Sequence, residues 1–226
     1  MTLPHLDRAD TAAVSDFIRA NTILTSPPLL PEIKLHLAEQ SLPIWQKTED
    51  ELGEINVPPP YWAFAWAGGQ ALARYLLDNP EISRERHVLD LGTGSGINAI
   101  AAKMAGASQV LANDIDRLAL SAVALNATAN SVLIEISPGD LLHLPPQTFG
   151  VILVGDLFYE RQLADKVLAF IEAAAADGAT VLIGDPKRNY FPQGRFTRVA
   201  DYQVPVSREL EDADVKPTAV WRLQKS

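Results

Sequence analysis

The stretch VLDLGTGSGINAIA, residues 88–101, constrains this chain more than any other. VLDL reads as a buried strand, and Gly92, Gly94 and Gly96 read as a tight turn. INAIA begins a helix. Glycine is required where the backbone turns with positive φ or closely approaches a ligand. A strand, a glycine turn and a helix in that order form the cofactor-holding unit of an open α/β sheet.

The surrounding pattern agrees with such a sheet. From Gly69 onward, helical periodicity falls over 69–78, 97–105, 117–130 and 161–176. Strand patterns fall over 86–91, 108–113, 132–136, 150–154 and 179–184. This alternation predicts a parallel sheet with helices on both faces. Asp177-Gly178 stops the long alanine-rich helix. The tail changes character: YQVPVSREL and PTAVWRL read as two strands joined by an acidic turn, an antiparallel hairpin.

At the other end, residues 10–21 place Ala13, Val14, Phe17 and Ile18 on one helical face, with Asp10 as N-cap. TSPPLLP breaks the chain, and Pro31 is expected to open a second helix through Glu39. Charged QKTEDELGEI and the prolines at 58–60 mark a junction. Residues 1–57 are therefore expected to be a small helical extension packed on a main domain, 58–226, since a segment of that size rarely folds alone. With 226 residues, 47% of them hydrophobic, one sizeable core is expected.

Two cofactor classes compete for the glycine turn. A dinucleotide site wants G-x-G-x-x-G, but the third glycine would fall at position 97, which is Ile97. Asp90 also precedes the turn, where a carboxylate disfavours a pyrophosphate and favours a cation. S-adenosylmethionine carries an ammonium and a sulfonium and no phosphate, so it suits Asp90. Asp114, at the end of the next strand, can accept from both ribose hydroxyls, with Asp116 close behind. Asp140 follows the third strand and can accept from the adenine amino group, with Leu141 against the ring. In α/β sheets ligands gather at these carboxyl ends. The expected cofactor is S-adenosylmethionine.

The core resembles the seven-stranded, Rossmann-like class I methyltransferases, whose sheet ends in an antiparallel hairpin. PPPYWAFAWAGGQALARYLLDNP (58–80), the glycine turn, ANDID and GDLFYE (155–160) resemble the electron transfer flavoprotein β-subunit lysine methyltransferases and their bacterial relatives. FIRANT and PEIKLHLAEQSLPIWQKTE extend the resemblance into the N-terminal segment. The resemblance implies an α/β class I fold and a protein-lysine N-methyltransferase acting on the electron transfer flavoprotein β subunit. It implies that Trp66, Gly68 and Gly69 stand at the cofactor pocket's mouth. Asp90, Gly92, Gly94 and Gly96 would hold the methionine end, Asp114 the ribose and Asp140 the adenine. Ile115 and Leu141 complete the expected cofactor set. Asp156 and Tyr159, from the D-x-x-Y run after the fourth strand, would line the lysine entry and serve catalysis.

The fourth-strand run also bears on the acceptor. Methyltransferases of planar nitrogens resemble one another in carrying Asn/Asp-Pro-Pro-Tyr/Phe there, whereas this chain has Gly155-Asp156-Leu157-Phe158-Tyr159. Asp185 and Arg188, after strand five, either shape the substrate groove or form an ion pair or turn. Lysine attacks only as the neutral amine, and a carboxylate favours the ammonium, so Asp156 is assigned chiefly to binding and aiming. Two further readings remain at this point: a lysine methyltransferase of another protein, such as a ribosomal protein, and a non-catalytic S-adenosylmethionine-binding assembly module.

Composition excludes several classes. Without cysteine there is no disulfide, thiol nucleophile or thiolate metal site. His5, His36, His87 and His143 are scattered singly, so no metal is expected. A formal charge of -9 without a basic cluster disfavours nucleic acid and suits a partner presenting a basic side chain. Asn126-Ala-Thr128 matches a glycosylation acceptor by chance. The N-terminus resembles no targeting peptide, and no apolar run reaches the roughly 18 residues that a span requires, so a cytoplasmic protein is expected.

Overall fold

The computed structural model describes residues 6–39, 49–54, 57–143, 148–208 and 213–224. Its centre is a seven-stranded sheet. The parallel strands are β3 (His87–Leu91), β4 (Gln109–Asp114), β5 (Glu135–Pro138), β6 (Val151–Gly155) and β7 (Thr180–Asp185). The antiparallel pair is β8 (Phe196–Pro205) and β9 (Val215–Leu223), and the spatial order is β5-β4-β3-β6-β7-β9-β8. Order reverses between β3 and β6, so the chain leaves the two strands in opposite directions and opens a crevice at their carboxyl ends. The hairpin tail is as expected, and β9 pairs antiparallel with β7 through Leu182↔Arg222 and Ile183↔Trp221. Its acidic connection (209–212), like His5, lies outside the described residues.

Each central strand is apolar on both faces, as a doubly covered parallel sheet demands. On one side α3 (Ala67–Asp78), α4 (Ile97–Met104) and α5 (Arg117–Ala129) form a layer, with Leu72, Ile100 and Val123 packed near Val88, Leu153 and Leu182. On the other, α6 (Arg161–Ala176) buries Val167, Phe170 and Ile171 against Leu89, Ile152 and Ile183. Gly178, at φ +100°, ends α6 where the sequence places the stop. Pro138 sits on β5, an edge strand, where a missing N–H breaks no ladder.

The N-terminal segment shares this core. In α1 (Thr11–Ala20), Asp10 caps the amides of Ala12 and Ala13, and Val14 and Ile18 bury against Leu118 and Ala122 of α5. The second predicted helix is absent. Residues 31–34 form a turn, and Leu35–Leu37 is a strand, β2, paired antiparallel with β1 (Ile23–Thr25). Ile33, Leu35 and Leu37 alternate with Lys34 and His36, a period of two that overrides the helix-opening proline. Glu49–Glu54 forms the short α2.

The other side of β2 meets two side-chain amides from α5. Asn126 Oδ1 accepts the His36 N–H at 2.8 Å, and Asn130 Oδ1 accepts the Lys34 N–H at 2.9 Å. Asn130 Nδ2 returns a bond to the Lys34 carbonyl. Asn126 also donates to the Ser95 carbonyl in the glycine turn at 2.8 Å, so it joins the N-terminal hairpin to the turn. Asn126 is fully buried, which removes it as a glycosylation acceptor in the folded protein.

The tightest contact is between α3 and β7. A Cβ on Gly68 would fall on the Gly184 carbonyl, and one on Gly184 would fall on the Gly68 carbonyl. Gly184→Ala is therefore expected to destabilise the protein by at least about 3 kcal/mol through overpacking. Gly53→Ala, where a Cβ meets only open space, should be neutral or slightly stabilising. Urea denaturation of the two variants checks this.

Candidate active site

A cavity of about 490 Å³ opens at the switch point, lined by the ends of β3, β4 and β6 and by the 57–66 approach to α3. The glycine turn forms its floor. Gly92 and Gly94 have φ of +62° and +53° and line the cavity. A Cβ on Gly92 would collide with Leu157, whereas one on Gly94 would point into open space. Gly96, at φ +81°, is instead the N-cap of α4, and its missing Cβ admits Val123 of α5. It packs helix on helix and does not line the cavity.

The turn's amides are largely committed. Thr93 donates to the Asn113 carbonyl, Gly96 to the Thr93 carbonyl and Gly94 to Asp114 Oδ2 at 3.0 Å. A phosphate needs such amides free. Among the described residues, the cavity walls carry four carboxylates, Asp114, Asp116, Asp140 and Asp156, against one guanidinium, Arg188. A cationic ligand without phosphate fits this field, and a dinucleotide does not.

Asp114 is placed as the sequence implies: it lines the cavity and takes the Gly94 and Asp116 amides on its two oxygens. Burial pushes its carboxyl above the usual range. Asp116 caps α5 through the Leu118 amide and pairs with Arg8 at 3.2 Å. Ile115 stands 76% exposed on the rim, an apolar face available to a flat ring. Asp140 lines the opposite side and pairs with His143 at 3.2 Å.

Besides Gly96, three expected cofactor residues sit elsewhere. Asp90 is fully buried and takes no part in the lining; its Oδ2 accepts from Thr93 Oγ1 at 2.5 Å and the Ala99 amide at 3.0 Å. It shares the α4 side of β3 with Val88, two residues away, so it braces the turn from beneath. Leu141 turns into the α6 core, and its neighbour Leu142 faces the cavity. Gly68 packs on Gly184 and serves the position of α3.

At the mouth, β6 is followed directly by Asp156, whose backbone has φ +74°, a left-handed conformation uncommon outside glycine. Its amide donates to the Gly184 carbonyl at 3.1 Å. Oδ2 accepts the Gly69 N–H at 2.9 Å, in the first turn of α3, where the helix dipole favours an anion. Oδ1 accepts from Arg188 Nη2 at 2.7 Å and Nε at 3.1 Å. The guanidinium lies 5.5 Å from the Trp66 ring centre. Arg188 is thus both ion pair and groove wall, and its own amide is held by Asp185 Oδ1 at 2.6 Å.

Aromatic rings surround this pair. Trp66 is the N-cap residue of α3 and donates its indole N–H to the Tyr61 carbonyl at 2.9 Å. Tyr61 lies 6.2 Å, between ring centres, from both Trp66 and Tyr159, and the two tyrosines are about half exposed. Tyr159, of the D-x-x-Y run, lines the cavity. Burial, with the Tyr61, Glu160 and Asp114 charges, raises its phenol further, so it stays neutral. Tyr61 was not anticipated. The signal was present in PPPYW, where alternate aromatics follow a rigid proline run, but sequence alone does not show which ring faces inward.

Sequence comparison now decides the family. The electron transfer flavoprotein beta subunit lysine methyltransferase of Rattus norvegicus is 40% identical over 212 residues, 91% of this chain and 82% of that one. The protein of that name from Xenopus laevis is 39% identical over 223 residues, covering 96% and 89%. The chain belongs to the electron transfer flavoprotein beta subunit lysine methyltransferase family. A family model described as Ribosomal protein L11 methyltransferase (PrmA) matches residues 70–177. A ribosomal protein L11 methyltransferase from Exiguobacterium is 38% identical over 109 residues, 47% of this chain and 31% of that one.

Solved structures share the fold. A Thermoplasma acidophilum protein aligns with a TM-score of 0.52 at 19% identity over 69% of this chain and 89% of that chain. A candidate methyltransferase solved in complex with SAH aligns at 0.51 and 12% identity, over 70% and 50%. Among the described residues no cluster could hold a metal ion, and no helix is long and apolar enough to cross a membrane.

Beneath the floor of this family member's cavity, burial raises the Asp90 carboxyl to about 7, opposed by the Thr93 and Ala99 bonds. The unfolded chain ionises it near 3.9. Ionisation therefore costs the folded state, and Asp90's contribution to stability falls as pH rises from about 4 to 7. In Asp90→Asn that loss is absent. The stability of the variant relative to wild type should rise between pH 5 and 8 in urea titrations.

Proposed function

We propose that this protein transfers methyl groups from S-adenosylmethionine to lysine ε-amines of the electron transfer flavoprotein β subunit. One observation carries the reading: a carboxylate, Asp156, fixed at an aromatic-walled mouth directly above an acid-rich, phosphate-averse cavity. The mouth admits a slender cationic chain, and the cavity suits a cationic donor. Family membership supports the same acceptor, because the β-subunit methyltransferases match across nearly the whole chain. The L11 methyltransferase model matches residues 70–177, and the Exiguobacterium L11 methyltransferase matches 47% of the chain.

The residues present fit the donor. Asp114 would take the ribose hydroxyls with its remaining lone pairs, Ile115 and Leu142 would flank the adenine, and Gly92 and Gly94 would leave room for the methionine end. Asp140 would receive the adenine amino group. When bound, S-adenosylmethionine supplies a methyl group on a sulfonium, open to in-line attack.

The chain's own residues bring in and aim the amine. Asp156 attracts the lysine ammonium, while Trp66, Tyr61 and Tyr159 strip water from its methylene stem. Desolvation of the amine lowers its affinity for the proton, which favours the neutral nucleophile. Alignment is the principal device, and good positioning is worth about 7–11 kcal/mol.

Asp156→Asn keeps the shape and tolerates positive φ, yet removes the charge. It should reduce methyl transfer to the flavoprotein β subunit by about a hundredfold, the cost of a misaligned reacting group. SAH binding by calorimetry should stay near wild type. Asp114→Ala should instead weaken SAH binding first. Near-normal turnover in Asp156→Asn, or labelling of a ribosomal protein in place of the flavoprotein subunit, would reject the acceptor assignment.

A further inference from the structure

The lysine site contains its own cation. Asp156 Oδ2 accepts the Gly69 N–H, and Arg188 Nη2 and Nε both converge on Oδ1. The same guanidinium stacks on Trp66, and its side chain is 18% exposed. Backbone geometry fixes its root: Asp185 Oδ1 accepts the Arg188 N–H, and Lys187 precedes it at φ +66°. A loose surface ion pair has none of these restraints.

We propose that Arg188 is a positioning residue of the lysine site, holding Asp156 as a neutralised pair so that the incoming amine is aimed by the carboxylate without being kept protonated by it. This rests on the lysine methyltransferase reading above. The chemistry motivates it directly. A carboxylate alone beside an amine favours the ammonium, which cannot attack. A guanidinium on the same carboxylate opposes that preference, and it stays charged throughout the working pH range. Arginine suits the place because its planar group stacks on an indole while its N–H groups reach one oxygen. A methylated amine leaves as a cation, and a carboxylate already neutralised by Arg188 holds that cation less strongly.

Other charged and titratable groups face the pair. Behind it lies Asp185, raised to about 7 by burial and then by the Asp156 charge. Lys187 lies 5.7 Å from the Trp221 ring, on the far side of that turn. Tyr61 and Tyr159 stand across the mouth, and Asp114 and Asp116 face it from β4 and α5. Asp185 can itself titrate near neutrality, so its variant is a necessary control.

The test is the pH dependence of kcat for methyl transfer to the purified flavoprotein β subunit at saturating donor, since kcat reports groups in the bound complex. Arg188→Gln should move the acid limb upward by about one unit, within the range that a neighbouring charge produces. Arg188→Lys should restore most of the wild-type limb, and Asp185→Asn should leave that limb in place. SAH calorimetry establishes that each variant is folded. An unmoved limb in folded Arg188→Gln overturns the proposal, as does loss of turnover at every pH up to 9.5, where the amine loses its proton more readily unaided. A wild-type protein that methylates no lysine would instead defeat the underlying function.

Discussion

The approach of α3 to the end of β7 governs the geometry of the site. Because Gly68 and Gly184 both lack side chains, the first turn of the helix rests on the strand's backbone. That closeness lets the Gly69 amide reach Asp156 Oδ2, while the Gly184 carbonyl accepts the Asp156 amide as β6 continues its pairing with β7. The two bonds fix a residue with φ +74° at a strand tip, an arrangement that a single hydrogen bond would hold poorly. Both carboxylate oxygens are thereby engaged, Oδ2 by the Gly69 amide and Oδ1 by Arg188. Any widening between α3 and β7 would release Asp156, tilt Trp66 at the helix N-cap and separate the aromatic wall from the ion pair.

Acid residues occupy two layers with different work. Asp114, Asp116 and Asp140 face the cavity and give it the sign that a sulfonium donor needs. Asp90 and Asp185 lie behind, fully buried, holding the Thr93–Ala99 turn and the Arg188 amide respectively. Burial raises both carboxyls toward neutrality. These inner acids are costly to ionise, and the backbone amides they accept from are what keep the loops above them in place.

The N-terminal segment is joined to this site through polar contacts as well as apolar packing. Asn126 binds β2 on one side and the glycine turn on the other, and Arg8 pairs with Asp116 on the cavity wall. Tyr61 and Trp62, in the approach to α3, line the cavity directly. We propose residues 1–57 as a structural extension that steadies the donor end of the site, with 58–226 forming the methyltransferase domain.

Local patterns carried the sheet, because the strand, turn and helix signals in VLDLGTGSGINAIA, in the Asp177-Gly178 stop and in the Asp10 cap arise within a few residues of backbone. Asp114, Asp140, Asp156 and Tyr159 were also legible, since topology sends every strand end to one rim. Direction was not. Strand alternation turned Asp90 inward, one helical position separated Leu141 from Leu142, and the alternation in IKLHL prevailed over Pro31. Nor does any sequence pattern announce that Arg188 meets Asp156 or that Gly68 meets Gly184, because these pairs are distant in the chain. The sequence determined which elements form and which strand ends bear acid. Only packing of α3 on the sheet decided which side chains face the cavity, since that depends on contacts made after the elements have assembled.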